Sequence, residues 1–414
     1  MLSMTPAGGL WAQELKFDGY LNSGMGFVVD DNKDNDAYLK AFGVDTESNG
    51  YRFRLNGSYT NKAKNAGARF RLQGQRRIDV SGYLSMPYAY GWLGFFDNII
   101  TVTGGIVMDS TWETRDWWWD DDQGEGLGLL LKVTPFKGLD FGVGAYTISQ
   151  QGAGRNNILS YNGRLPNFRD ITLKPKDAKY TFNFAYTMTD TFRLGASFRT
   201  RNRASWEPVN GSYTTDDYAY KGREESSQLI GEFRLLAVEG LTAVAVGVFD
   251  TLEEFSDKGN TTLSETISYE RDNLNVGFNA VQFFYNAQTD GKDTDPSLLF
   301  NLWGSYAIDN VVPRVDLVYL MGGRSQTVTN DKQWDRRGFE VEDAKGARGV
   351  DDDYSVFSIR PSVNFNVNKG TFLEIGDMIN IDFGNYDGAY IDSGDANKRS
   401  RLTNVFYIDV RFSF

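Results

Sequence analysis

The stretch RLTNVFYIDVRFSF, Arg401 to Phe414, alternates from Phe406 onward. Phe406, Ile408, Val410, Phe412 and Phe414 fall on one face, and Tyr407, Asp409, Arg411 and Ser413 on the other. Side chains in a strand point to opposite faces with period two, so one face is apolar and the other polar and charged. A soluble sheet guards such an outer strand with charge, proline or a covering element. A strand that closes a barrel in a membrane leaves no free edge to guard. A barrel requires the other segments to repeat this pattern.

They do so from Leu15. Leu15, Phe17, Gly19 and Leu21 alternate with Lys16, Asp18, Tyr20 and Asn22. In YRFRLNGSYT, Tyr51, Phe53, Leu55, Gly57 and Tyr59 oppose Arg52, Arg54, Asn56 and Ser58. In ARFRLQGQRR, Phe70, Leu72 and Gly74 oppose Arg69, Arg71, Gln73 and Gln75. Later segments follow, and short and long connections alternate between them. The short ones carry turn chemistry: Asp97-Asn98, Pro135 to Gly138, Asp190, Glu239-Gly240, Asp272-Asn273, Asp309-Asn310 and Asn368-Lys369-Gly370. The long ones include 151–176, 322–352 and 384–400. The pattern predicts an all-β protein: a transmembrane antiparallel up-and-down barrel of about 18 strands, with 16 as the alternative, short periplasmic turns and long external loops. The segment 263–271 is thin in apolar residues. A propeller is the soluble alternative, but no motif recurs at its period of roughly 40–50 residues.

Composition agrees. The chain of 414 residues has a formal charge of −12, with 44 glycines and 14% aromatic residues. Its mean hydropathy is −0.43. No window holds the ~18 apolar residues of a membrane helix, whereas a barrel hides its apolar residues at every second position. Aromatic residues crowd the short turns, at Tyr59, Phe95, Phe96, Phe136, Phe192, Phe372 and Phe414, as membrane-interface girdles do. Residues 1–13 read as a signal-peptide remnant or a disordered terminus, with Ala12-Gln13 as a cleavage point. Residues 14–414 read as one barrel domain.

The segment WLGFFDNIITVTGGIV, Trp92 to Val107, the closing strand ending in Phe414, and the alternation of turn and loop resemble a bacterial outer-membrane porin. The resemblance is architectural and identifies no subfamily. It implies an outer-membrane location and a water-filled channel for passive diffusion of ions and small hydrophilic solutes. It also implies a homotrimer, assembly machinery that engages the strand ending in Phe414, and a third external loop folded into the pore.

Charge on the polar faces sets the candidate site. Arginine against lipid at mid-bilayer costs about 2–4 kcal/mol, so Arg52, Arg54, Arg69, Arg71, Arg193, Arg199, Arg201, Arg360 and Arg411 are expected to line the pore. Loop 109–125 is the candidate constriction, and its acids Glu113, Asp116, Asp120, Asp121 and Asp122 would face that basic wall. The bland alternative is solvated wall charge and a surface loop. Trp117, Trp118 and Trp119 offer sugar-stacking faces or an interface anchor. Asp120-Asp121-Asp122 and Asp351-Asp352-Asp353 lack the spacing of a calcium loop, so no metal site or cofactor is expected. With no histidine and no cysteine, histidine-based hydrolysis and thiol chemistry are excluded, and no enzyme is expected. The acidic balance opposes nucleic-acid binding. Two other readings remain: a channel selective for sugars or carboxylates, and a barrel that mainly displays its loops.

Overall fold

The computed structural model describes residues 14–30, 37–42, 50–77, 83–107, 126–146, 179–200, 203–208, 218–224, 226–252, 261–284, 297–321, 355–382 and 402–414. Their strands are β1 (Glu14–Asp30), β2 (Tyr38–Phe42), β3 (Gly50–Thr60), β4 (Ala66–Arg77), β5 (Tyr83–Phe95), β6 (Ile100–Val107) and β7 (Gly126–Phe136). Next come β8 (Leu139–Tyr146), β9 (Lys179–Met188), β10 (Phe192–Thr200), β11 (Arg203–Pro208), β12 (Tyr218–Glu224), β13 (Ser226–Leu235) and β14 (Leu241–Leu252). The last are β15 (Thr261–Arg271), β16 (Leu274–Phe284), β17 (Ser297–Tyr306), β18 (Val311–Met321), β19 (Ser355–Asn368), β20 (Thr371–Asp382) and β21 (Leu402–Ser413).

Eighteen of these close into a ring in which every neighbour is antiparallel. β1 pairs with β3, each wall strand pairs with the next, and β21 returns to β1 through Tyr20↔Ser413 to Asp30↔Thr403. The three others stand outside the ring. β2 pairs with the upper part of β1, and β11 with β12 in a separate hairpin between β10 and β13. The strand count is therefore 18, and the 16-strand alternative falls away. The thin segment is a full wall strand, β15. It reads as thin because Ser264, Thr266 and Ser268 face inward and Glu265 interrupts the outer apolar row.

The turn chemistry explains the hairpins. Asp97, Asn98, Asp190, Asp272 and Asp309 take positive φ, as do Gly138, Gly240 and Gly370, all in short turns. Aspartate, asparagine and glycine tolerate that left-handed backbone better than other residues.

Exposure assigns the faces. On β21, Phe406, Ile408 and Phe412 are exposed while Tyr407 and Asp409 are fully buried. The same parity runs through the cross-strand partners around the wall, with Phe17, Leu129, Phe182, Phe198, Phe233 and Leu302 exposed outside. Exposed apolar residues recur on most wall strands and form the band that hydrocarbon wets in a transmembrane barrel. Phe95, Phe96, Phe136 and Phe414 stand exposed at the turn end.

One close approach fixes the inner wall beside the seam. The Tyr407 ring lies flat over Gly376, where a Cβ would collide with it, and Tyr407 Oη donates to Glu374 Oε1 at 2.9 Å. Met378 and Val405 complete this buried cluster. Replacing Gly376 with valine must expel the ring and break that bond. The expected cost is about 1–3 kcal/mol, the range for overpacking, read as a lower urea midpoint for the folded barrel in lipid vesicles.

Candidate functional site

The β3–β4 hairpin brings four arginines to the inner face. Arg52 and Arg54 belong to β3; on β4, Arg71 lies opposite Asn56 and Arg69 opposite Ser58. Since 52, 54, 56 and 58 are successive inward positions, the four side chains occupy four consecutive levels. The levels stand about 6.6 Å apart, two residues of strand rise. The result is a staircase of positive charge running from the loop end toward the turn end. Arg411 joins it from β21, opposite Asn22, which is itself opposite Arg52.

Amides and rings hold this staircase. Arg54 Nε donates to Gln73 Oε1 (2.6 Å), and Arg71 Nε donates to Asn56 Oδ1 (2.9 Å). Asn56 Nδ2 in turn donates to Asp18 Oδ1 (2.6 Å). The Arg411 and Arg54 guanidinium carbons lie 4.0 and 5.6 Å from the Tyr20 ring centre. Arg71 lies 4.9 Å from Tyr88, and Arg69 lies 5.7 Å from Trp92. Tyr88, Tyr90 and Trp92 follow one another at 5.8 and 6.4 Å on β5. Aromatic faces attract guanidinium through their quadrupole without cancelling its charge.

The other inward arginines have different company. Arg193 forms an ion pair with Glu232 at 2.8 Å, and Arg234 approaches the same carboxylate at 3.7 Å. Arg314 binds Asp316 with two nitrogens, at 2.8 and 2.6 Å. Arg360 is buried opposite Asp316 and donates Nε to Ser358 Oγ at 2.9 Å. Arg199 is buried on β10 opposite Thr181 and Gln228. Arg201, loop 109–125 with Glu113, Asp116, Asp120, Asp121 and Asp122, and Trp117, Trp118 and Trp119 lie outside the described residues.

Sequence reasoning missed the wall across the lumen. By ring order, β14 and β15 stand nine strands from β3 and β4, half-way round. From β13 to β18 the inner face carries a set of buried aliphatic side chains, Ile230, Val246, Val248, Val281, Leu299 and Val318, interspersed with polar Glu232, Ser264, Asn279 and Asp316. Ile230 faces Val248, and Val281 faces Leu299, across their strands. The signal is in LTAVAVGVF, Leu241 to Phe249, which is apolar at both parities. Such a run meets apolar surroundings on both faces. The lumen is therefore uneven: basic and aromatic on one side, with an aliphatic set among polar residues on the other.

No family model and no curated protein matches the chain. Solved structures do. The structure of OccK2 (OpdF) from Pseudomonas aeruginosa in complex with glucuronate is 10% identical, with 96% of this chain and 98% of that chain covered at a TM-score of 0.56. OpdK, an outer-membrane protein of the same organism, is 9% identical, with 96% and 99% covered at a TM-score of 0.52. OpdK with vanillate gives 10%, 96%, 99% and 0.51. At such identities the likeness concerns the fold, which is that of an outer-membrane barrel over nearly its whole length.

Proposed function

We propose that this protein is a solute-selective channel of the bacterial outer membrane, and that its solutes are small organic acids with an apolar or ring-shaped body. The observation that carries this reading is the β3–β4 arginine staircase with Tyr20, Tyr88 and Trp92 against its guanidiniums. A carboxylate can pass from one guanidinium to the next because each step of about 6.6 Å is short and each level offers charge-assisted donors. The aromatic column and the aliphatic side chains opposite suit the rest of such a molecule. Two of the similar structures hold glucuronate and vanillate, both ring-bearing carboxylates. Selective passage by this route replaces unselective diffusion as the main reading. Binding must be strong enough to admit a solute and weak enough to release it.

The test is single-channel recording in a planar bilayer under a salt gradient, with the solute added to one side. Glucuronate or vanillate at millimolar concentration is expected to interrupt chloride current in a concentration-dependent way, while glucose and the uncharged alcohol of vanillate are not. Equal block by charged and neutral forms would overturn the carboxylate reading, and the absence of steady current steps would favour the loop-display reading.

A finer prediction concerns the rings. Tyr88→Ala removes the face against Arg71 and part of the aromatic column while leaving the charge. It should shorten vanillate block by about 3–10-fold, consistent with roughly 0.5–1.5 kcal/mol for such ring contacts. Conductance in simple salt should stay within a factor of two. Block times and salt conductance from one recording check both.

A further inference from the structure

Among the described wall residues, the outer face carries two carboxylates, Glu265 on β15 and Asp377 on β20. It also carries two carboxamides, and each is bonded to one of those acids. Gln282 Nε2 donates to Glu265 Oε2 at 3.4 Å, and Asn404 Nδ2 donates to Asp377 Oδ2 at 3.3 Å. Their outward parity follows from the register: Glu265 lies opposite Ala280 between the exposed rows of Ile267 and Phe278, and Asp377 lies opposite exposed Phe406.

Their depths match. Glu265 stands six residues from Arg271, in the Arg271↔Leu274 pair that closes its short turn, and Asp377 stands six from Thr371, in the pair Asn368↔Thr371. Gln282 is eight residues beyond Leu274, and Asn404 lies opposite Ile379, eight beyond Thr371. With tilted strands rising about 3.3 Å per residue, six residues put both carboxyls roughly 15 Å above the turns, well inside an apolar band of ~25 Å. Between the two pairs the outer surface carries a shallow, open depression lined by Gly304, Pro313, Val315, Pro361 and Ile375, with Asp377 also in its lining.

We infer that the sector from β15 to β21 is where copies of this chain associate side by side in the membrane. The Glu265–Gln282 flank of one copy meets the Asp377–Asn404 flank of the next. Hydrocarbon supplies neither donor nor acceptor to these groups, so facing lipid leaves their remaining bonding capacity unmet. Copies of one chain share orientation and depth in a bilayer, so groups at equal height meet after rotation about the membrane normal. Each flank brings a carboxyl acceptor and an amide donor, so either flank satisfies the other. Two unlike flanks make a heterologous contact, which closes into a ring when the rotation allows. This association requires the membrane barrel but is independent of which solute the lumen carries.

The chain has no cysteine, so introduced ones are unique. Leu263→Cys and Ile379→Cys place a thiol beside each acid–amide pair, since Leu263 lies opposite Gln282 and Ile379 opposite Asn404. In membranes, a short bismaleimide is expected to join the double variant into dimers and higher multimers. Either single variant, and the control Leu129→Cys on a distant strand, should remain at least tenfold less linked. In a separate arm, Glu265→Leu with Gln282→Leu, Asp377→Leu and Asn404→Leu should lower the multimer fraction at least tenfold while the barrel stays folded. Folded double-cysteine protein that yields only monomer overturns the proposal. So does native mass spectrometry of the wild type that finds single chains carrying lipid, or a leucine variant that associates like the wild type. If the leucine variant does not fold, the cysteine pair decides.

Discussion

With Arg52, Arg54, Arg69 and Arg71 all changed to alanine, the reversal potential under a salt gradient shifts toward cations, and block by glucuronate or vanillate weakens at least tenfold. The four side chains sit on four successive inner levels of one hairpin, so their removal takes four positive charges from one side of the lumen and leaves Arg411 there alone of the staircase. A hydrogen bond to a charged group contributes about 1.5–3 kcal/mol, and losing even one such contact at a binding level accounts for a tenfold change. The inward acids nearest the hairpin, Asp18 on β1 and Glu374 and Asp409 on β20 and β21, then weigh more in the local field. Removing Arg193 alone should do less, because Glu232 already pairs with it at 2.8 Å. An unmoved reversal potential in the fourfold variant would show that ions pass without meeting the hairpin.

Ile408→Arg is the second large effect, and it acts on folding. Ile408 is 42% exposed on the outer face, between Phe406 and Val410. It lies opposite Met25 on β1 and Ile375 on β20, well inside both ladders that seal the ring. An arginine there must face hydrocarbon or be pulled toward the interface, at a cost of about 2–4 kcal/mol near the midplane. Urea titration of folding into lipid vesicles should show that loss. Ile408→Leu should stay within 1.5 kcal/mol, as volume-conserving apolar exchanges usually do.

Most of the barrel was legible because two independent signals coincide. Alternation marks where a strand faces lipid on one side and water on the other, and aspartate, asparagine and glycine mark the short turns. Phe406 to Phe414 and Tyr51 to Tyr59 carry the first clearly, and Asp97-Asn98 and Asp272-Asn273 the second. Alternation weakens where the inner wall is itself apolar, so β14 shows a strand but not which of its faces looks inward. It also weakens where an outer position is polar, as Glu265 makes β15 look doubtful. The arginines of β3 and β4 were visible as residues, but their staircase depends on register: Asn56 opposite Arg71 and Ser58 opposite Arg69. Register is set by pairing between strands, and one strand's sequence does not contain it. The rings that hold the staircase were hidden for the same reason, because Tyr20 and Tyr88 come from neighbouring strands.

The seam between β1 and β21 has a kinetic consequence. β1 precedes every other strand of the ring in sequence, yet one of its two neighbours, Leu402–Ser413, follows all the others. Contacts so distant in sequence form slowly, because a very long stretch of chain must be ordered before they return any stabilisation. Until then, β1 and whichever strand is last in place both expose unpaired backbone, the situation that invites aggregation. Ring closure therefore has to be a late, all-or-none event in biogenesis. Slowing the delivery of β21 should raise the fraction of chains degraded, without altering the stability of those whose ring has closed.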